Sequence, residues 1–168
     1  MAQQKEMIVR RAKPKDAHRI AAFVSRASPG RPKVDRQKVI DRFGSVGFLL
    51  AERDDAIVGM LGWQAENLVV RVTDLLVQPA SERLAATQAL LSEMERAADE
   101  LQCEAALLLP PHPPSPDLIE FSATFGYEPQ IVADLPRAWH DAAHEAQLAE
   151  EDTVLVKQVR EKRVIRPL

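Results

Sequence analysis

The sequence has one cysteine, Cys103, among its 168 residues, so no intrachain disulfide can form. Such usage suits a reducing compartment. No apolar stretch follows a basic start, so a secretory signal is not expected. No run approaches the roughly 18 apolar residues of a membrane span. Charge of one sign is not in excess either: the formal net charge is −3. Nucleic acid is therefore not an expected partner of the chain as a whole. Repeats are lacking, and Tyr127 is the only tyrosine. These absences leave a soluble cytoplasmic protein with no membrane partner as the expectation.

Hydrophobic residues make up 46% of the chain, which marks a globular protein. Its length is enough for one domain to bury a core without metal or disulfides, so 1–168 is read as a single domain. A short strand over 7–11 precedes a helix opened by residues 13–16 and carried by Ile20, Phe23, Val24 and Ala27 at helical spacing. Asp35 caps a second helix, with Gly44 just beyond its end. Strands over 48–52, 57–63 and 68–77, separated by Asp54-Asp55 and Glu66-Asn67, read as an antiparallel meander. The chain's longest helical pattern spans 81–101, and a buried strand over 104–109 suggests a parallel crossover. A proline-rich loop over 110–116 leads to a short helix capped by Asp117, then to a strand starting at Gly126-Tyr127. A helix over 136–150 and a strand over 153–159 complete the pattern, followed by a basic tail over 160–168.

This order, with its local words, resembles the GCN5-related N-acetyltransferase (GNAT) superfamily. GFLLAERDDAIVGMLGW looks like the family's second and third strands, TDLLVQP like the fourth strand with its V-x-P ending, ALLLP like the fifth, and EFSATFGYEP like the late aromatic segment. The resemblance covers about 7–129 plus the last strand. It implies an α/β (α+β) fold: a mixed, mostly antiparallel sheet flanked by helices, here with an extra C-terminal helix before the last strand. It further implies transfer of an acyl group from acetyl-CoA or another acyl-CoA to a small amine or a protein amine.

In the family, the loop after V-x-P follows R/Q-x-x-G-x-G/A and cradles the coenzyme pyrophosphate on backbone amides at a helix N-terminus. Carried over from Pro79, the cofactor-binding positions are Leu76, Val77, Glu82, Arg83, Leu84, Ala85, Ala86 and Thr87, with Phe121 from the later segment. The loop is degenerate. Glu82 stands at the Arg/Gln position, Ala85 at the first glycine and Thr87 at the second. Glu82 opposes a negative ligand and Ala85 adds a Cβ on its path, so coenzyme binding is expected to be weak or absent. Arg83 and Arg71 are candidates to compensate. Ser122 follows Phe121 where many members carry a general-acid tyrosine, and Tyr127 takes a position that is normally core packing. Asp74 on the fourth strand and Glu66 at the end of the third are the candidate general bases for the amine.

His140 and His144 share a helix face in an arrangement similar to H-E-x-x-H, with Asp141 in place of the glutamate and Glu145, Glu150 or Glu151 as third-ligand candidates. The ordinary alternative is the exposed face of an alanine-rich helix, and on that reading no metal is expected. The P-x-x-P run at 110–113 reads as a rigid loop, and Cys103, Trp63 and Trp139 as packing residues. The functional alternatives are an N-acyltransferase with a divergent loop and a catalytically inactive GNAT-fold binding or scaffold module that no longer binds acetyl-CoA well. The apolar run Val154-Leu155-Val156 needs a neighbouring strand. That neighbour lies within the chain or across a dimer, and a homodimer or protein complex through the C-terminal third is expected, with Arg160, Lys162, Arg163 and Arg166 at the rim.

Overall fold

A computed structural model describes residues 6–30, 32–110 and 114–160. Lys162, Arg163 and Arg166 of the basic tail, and His112 of the proline loop, lie outside the described residues. The strands are β1 (Ile8–Arg11), β2 (Gly47–Arg53), β3 (Ala56–Glu66), β4 (Val69–Val77), β5 (Ala105–Leu108), β6 (Glu128–Ile131) and β7 (Thr153–Gln158). The helices are α1 (Ala17–Ala27), α2 (Arg36–Arg42), α3 (Arg83–Glu100), α4 (Pro116–Ala123) and α5 (Arg137–Glu145). Hydrogen bonding orders the strands β1-β2-β3-β4-β5-β7-β6. β4 and β5 are parallel, with Arg71 opposite Leu107, while β5–β7 and β6–β7 are antiparallel. The expected mixed, mostly antiparallel sheet is therefore found, with the crossover through α3.

The chain divides into two compact units, Met1–Gln64 with Thr73–Met94, and Ala65–Val72 with Glu95–Leu168. In the first, Ile20, Phe23, Phe48, Leu50 and Met60 form the core. Gly59 lets α3 close on β3. A Cβ there would meet Leu90 Cδ1 at 3.0 Å and the Ala86 Cβ at 3.3 Å. A partly buried ion-pair network ties β1, α1 and β2 together: Arg10 holds both oxygens of Asp16 at 2.8 Å, and Arg10 and Arg19 both reach Glu52. In the second unit, Val69, Leu107, Val132, Ala143, Val154 and Val156 pack as one cluster.

Several boundaries differ from the sequence pattern for local reasons. Ser115, not Asp117, caps α4: its hydroxyl accepts from the Leu118 amide at 3.1 Å, leaving Pro116 in the first turn, where its missing N–H costs nothing. The segment at Gly126-Tyr127 is the helix exit, and the strand begins at Glu128. α5 ends at Glu145 rather than near residue 150. Gln147 adopts φ 66°, its amide donates to the His144 carbonyl at 2.8 Å, and the Leu148 amide reaches back to Ala143 at 3.1 Å. That double return is a Schellman cap. α3 ends the same way, with Gln102 at φ 62° and the Cys103 amide on the Ala98 carbonyl. Glutamine stands in both caps where glycine would have announced the turn.

β7 has β5 on one side and β6 on the other, so Val154-Leu155-Val156 finds its neighbours within the chain. β7 therefore needs no second copy to cover its edges. β6 is an edge strand, and Pro129 within it blunts pairing with another chain.

Two hairpin turns place non-glycine residues at positive φ: Asp54 and Asp55 at 54° and 63°, Asn67 and Leu68 at 48° and 71°. Asp and Asn tolerate this region, but leucine does not, at a cost of about 1–2 kcal/mol. Leu68 is also about half exposed, so little packing offsets the strain. Leu68→Gly is expected to raise the unfolding free energy by about 1 kcal/mol in urea denaturation.

Candidate functional site

β4 ends at Val77, and a single 3-10 turn, Ala80–Glu82, leads into α3. Its amides are partly consumed: Glu82 donates to the Pro79 carbonyl at 3.0 Å and Arg83 to that of Ala80. The 18 residues of α3 place a partial positive charge at this end. Arg83, Leu84 and Ala85 are exposed there, whereas Ala86 and Thr87 are buried. Ala86 packs under Gly59, so it serves helix–sheet contact rather than the outer face of the turn. Leu76 and Val77 are half-buried, with Leu76 against the first unit's core.

The charge that sequence reading leaves bare at Glu82 is not bare. Arg53, the last residue of β2, grips it through two parallel bonds, Nε to Oε1 at 3.0 Å and Nη2 to Oε2 at 3.1 Å. This fork geometry is the strong form of a carboxylate–guanidinium pair. Glu82 thus supplies, from within the chain, an anion for the positive end of α3, and Arg53 neutralises it. No spacing rule links residues 53 and 82, so Arg53 carries no sequence signal for this role.

Asp74 is held as firmly. Arg42 of α2 binds its Oδ1 at 3.1 Å and its Oδ2 at 2.5 Å, and the Thr73 hydroxyl donates to Oδ2 at 2.7 Å. Gly62 makes room for this group, since a Cβ there would run into the Asp74 carboxylate.

In the second unit, Glu66 is about half exposed and pairs with Arg71 at 3.1 Å. Arg71 is buried and also donates to the Ala142 carbonyl at 3.2 Å and approaches Glu145 at 3.7 Å. It is thereby committed to α5 and the end of β3, which removes it as a compensating phosphate ligand. The hydrogen bond that Glu145 donates to Glu66 raises the Glu145 carboxyl above the usual range, despite the opposing pull of Arg71. Phe121 is half-buried and stands edge-on to Phe125, with centroids 5.2 Å apart. Ser122 is buried, and its carbonyl accepts from the Tyr127 amide. Tyr127 is fully buried beneath the Lys157 ammonium, 5.7 Å from the ring, and burial raises its phenol strongly. It is a packing residue, as its position in the sequence suggests. Cys103 is buried too, and desolvation raises its thiol. Trp63 covers Gly47, and Trp139 packs in the second unit's core with its indole N–H toward Glu104.

A parallel β4–β5 pair is thus joined through a helix that starts just after the V-x-P strand end. The family model described as "Acetyltransferase (GNAT) family" matches residues 12–127, more than half of the chain. The chain belongs to the GNAT acetyltransferase family. Solved structures agree on the GNAT fold. The ribosomal-protein-S18-alanine N-acetyltransferase of Escherichia coli has TM-score 0.69 at 9% identity, over 97% of this chain and 100% of that one. PaiA N-acetyltransferase of Thermoplasma acidophilum, solved with coenzyme A, has TM-score 0.65 at 12% identity, over 91% and 99%. N-acetylglutamate synthase of Neisseria gonorrhoeae, solved with coenzyme A and N-acetyl-glutamate, has TM-score 0.68 at 18% identity, over 95% of this chain and 37% of that one. No curated protein sequence matches significantly. Among the described residues, no helix of this GNAT chain is long and apolar enough to cross a membrane.

Proposed function

We propose that this GNAT protein is an acyl-CoA-dependent N-acyltransferase whose phosphate loop is neutralised internally, so that it holds the coenzyme weakly. The observation that carries this reading is the two-bond Arg53–Glu82 pair at the start of α3. The positive helix end and the exposed 83–85 positions fit a pyrophosphate. Glu82 opposes one, and Arg53 offsets that opposition without adding net positive charge. Bound acyl-CoA would supply the thioester carbonyl. The chain's own task is to admit an amine and accept its proton.

For that proton, Glu66 is the better of the two carboxylates. Asp74 already receives two guanidinium bonds and a hydroxyl and is mostly covered, whereas Glu66, paired with Arg71, is about half exposed and open to an incoming amine. Asp74 acts instead as a positioning residue for Arg42. The acceptor is a small amine or a protein amine. The test is release of free coenzyme A thiol from acetyl-CoA at millimolar concentration over a panel of amines and N-terminal peptides. Turnover with one acceptor class, lowered in kcat but not KM by Glu66→Gln, supports the reading. A second reading, a GNAT-fold binding module without turnover, is favoured by buried Ser122 and by the commitment of Asp74 to Arg42. No thiol release for any amine, with no measurable coenzyme binding at millimolar concentration, would select it.

A further inference from the structure

Away from the phosphate loop, α5 and the segment entering β7 bring two imidazoles and a carboxylate to one point. His140 and His144 are one turn apart on α5, with ring centroids 4.4 Å apart. The Schellman cap at Gln147 reverses the chain, and the Glu150 carbonyl is pinned by the Ala133 amide at 3.0 Å. Glu150 therefore returns beside the last turn of α5. Its Oε1 lies 2.8 Å from His140 Nε2 and 2.7 Å from His144 Nε2. The three donor atoms all lie within 4.8 Å of one another.

We propose that His140, His144 and Glu150 bind a zinc-class divalent ion that clips the end of α5 to the loop before β7. Two imidazole nitrogens and one carboxylate oxygen form a donor set suited to Zn2+, leaving a fourth position for water. Around a tetrahedral ion with bonds of about 2.0–2.1 Å, donor atoms stand about 3.3 Å apart. The N–O distances of 2.7 and 2.8 Å need to open by about half an ångström, and Glu150, about half exposed, has room to make that shift. Binding requires each Nε2 to present a lone pair, which puts the proton on Nδ1. Asp141 Oδ1 lies 3.9 Å from His140 Nδ1, within reach of a bridging water that would favour that tautomer. Without an ion, Glu150 satisfies both rings, so the site is pre-assembled.

The experiment uses the full chain without an affinity tag, treated with chelator and dialysed. Zn2+ is titrated by calorimetry, and Co2+ serves as the absorbance probe. One ion per chain is expected, with Kd in the micromolar range or below, and a Tm rise of about 5–10 °C at hundredfold excess over Kd. Co2+ should give the intense visible bands of tetrahedral coordination. His144→Ala and Glu150→Gln should each weaken Zn2+ at least tenfold while circular dichroism shows the fold intact, and Mg2+ should not compete. Failure of Zn2+ to bind at about a hundred micromolar, or binding unaltered by either substitution, would overturn the site.

Discussion

Replacing Glu82 with glutamine tightens acetyl-CoA binding about tenfold at low ionic strength, which corresponds to about 1.4 kcal/mol. The substitution removes a carboxylate from the α3 N-terminus and releases the Arg53 fork to meet the pyrophosphate. Because the gain is electrostatic, it shrinks as salt rises and nearly vanishes toward 1 M, where the screening length is about 3 Å. Arg53→Ala acts in the opposite direction: it leaves Glu82 uncompensated beside an anionic ligand and weakens binding about tenfold or more. Calorimetric titrations at several salt concentrations separate the two cases. Equal affinities for wild type and Glu82→Gln at every ionic strength would show that this pair does not face the phosphates.

Replacing Asp16 with alanine lowers the unfolding free energy by about 2–4 kcal/mol at neutral pH. The Asp16 side chain is 5% exposed and accepts two bonds from Arg10 and one from the Lys13 amide. Its removal takes one of two carboxylates from the Arg10 guanidinium, which keeps Glu52 through Nε. Arg10 is itself a third exposed, which keeps the cost below that of a fully buried pair. The hydrogen bond from Arg10 holds the Asp16 carboxyl well below the usual carboxylate range. A group whose folded pKa is depressed contributes stability above its unfolded value, about 4, and loses that contribution as pH falls toward the folded value. The stability gap between wild type and Asp16→Asn is therefore largest near neutrality and narrows below about pH 4. Urea denaturation at pH 7 and pH 3 reads it directly. A gap that is constant across that range would mean the ion pair contributes nothing through its charge.

The meander, the long helix α3 and the parallel return at β5 were legible because each rests on a local signal: alternating strands around Asp54-Asp55 and Glu66-Asn67, a sustained helical face, and a short buried run. The end of β4 at Val77 and the start of α3 at Arg83 likewise follow the local break at Pro79. What the sequence hides is long range. Glu82 reads as an uncompensated charge because its partner sits 29 residues earlier, and Asp74 as an accessible base because Arg42 is 32 residues away. Arg71 reads as a surface cation near the loop, yet Glu66, Glu145 and the Ala142 carbonyl bury it. The end of α5 was illegible for another reason. A Schellman cap built on glutamine leaves no glycine to mark it, and that cap is what brings Glu150 back onto His140 and His144.

The most direct measurement of the central claim is calorimetric titration of acetyl-CoA into the wild-type protein at low ionic strength, beside Arg53→Ala. An internally neutralised phosphate loop predicts a wild-type Kd above about 100 µM, corresponding to less than about 5.5 kcal/mol of binding free energy, and a further loss in Arg53→Ala. A low-micromolar Kd that Arg53→Ala leaves unchanged would contradict it.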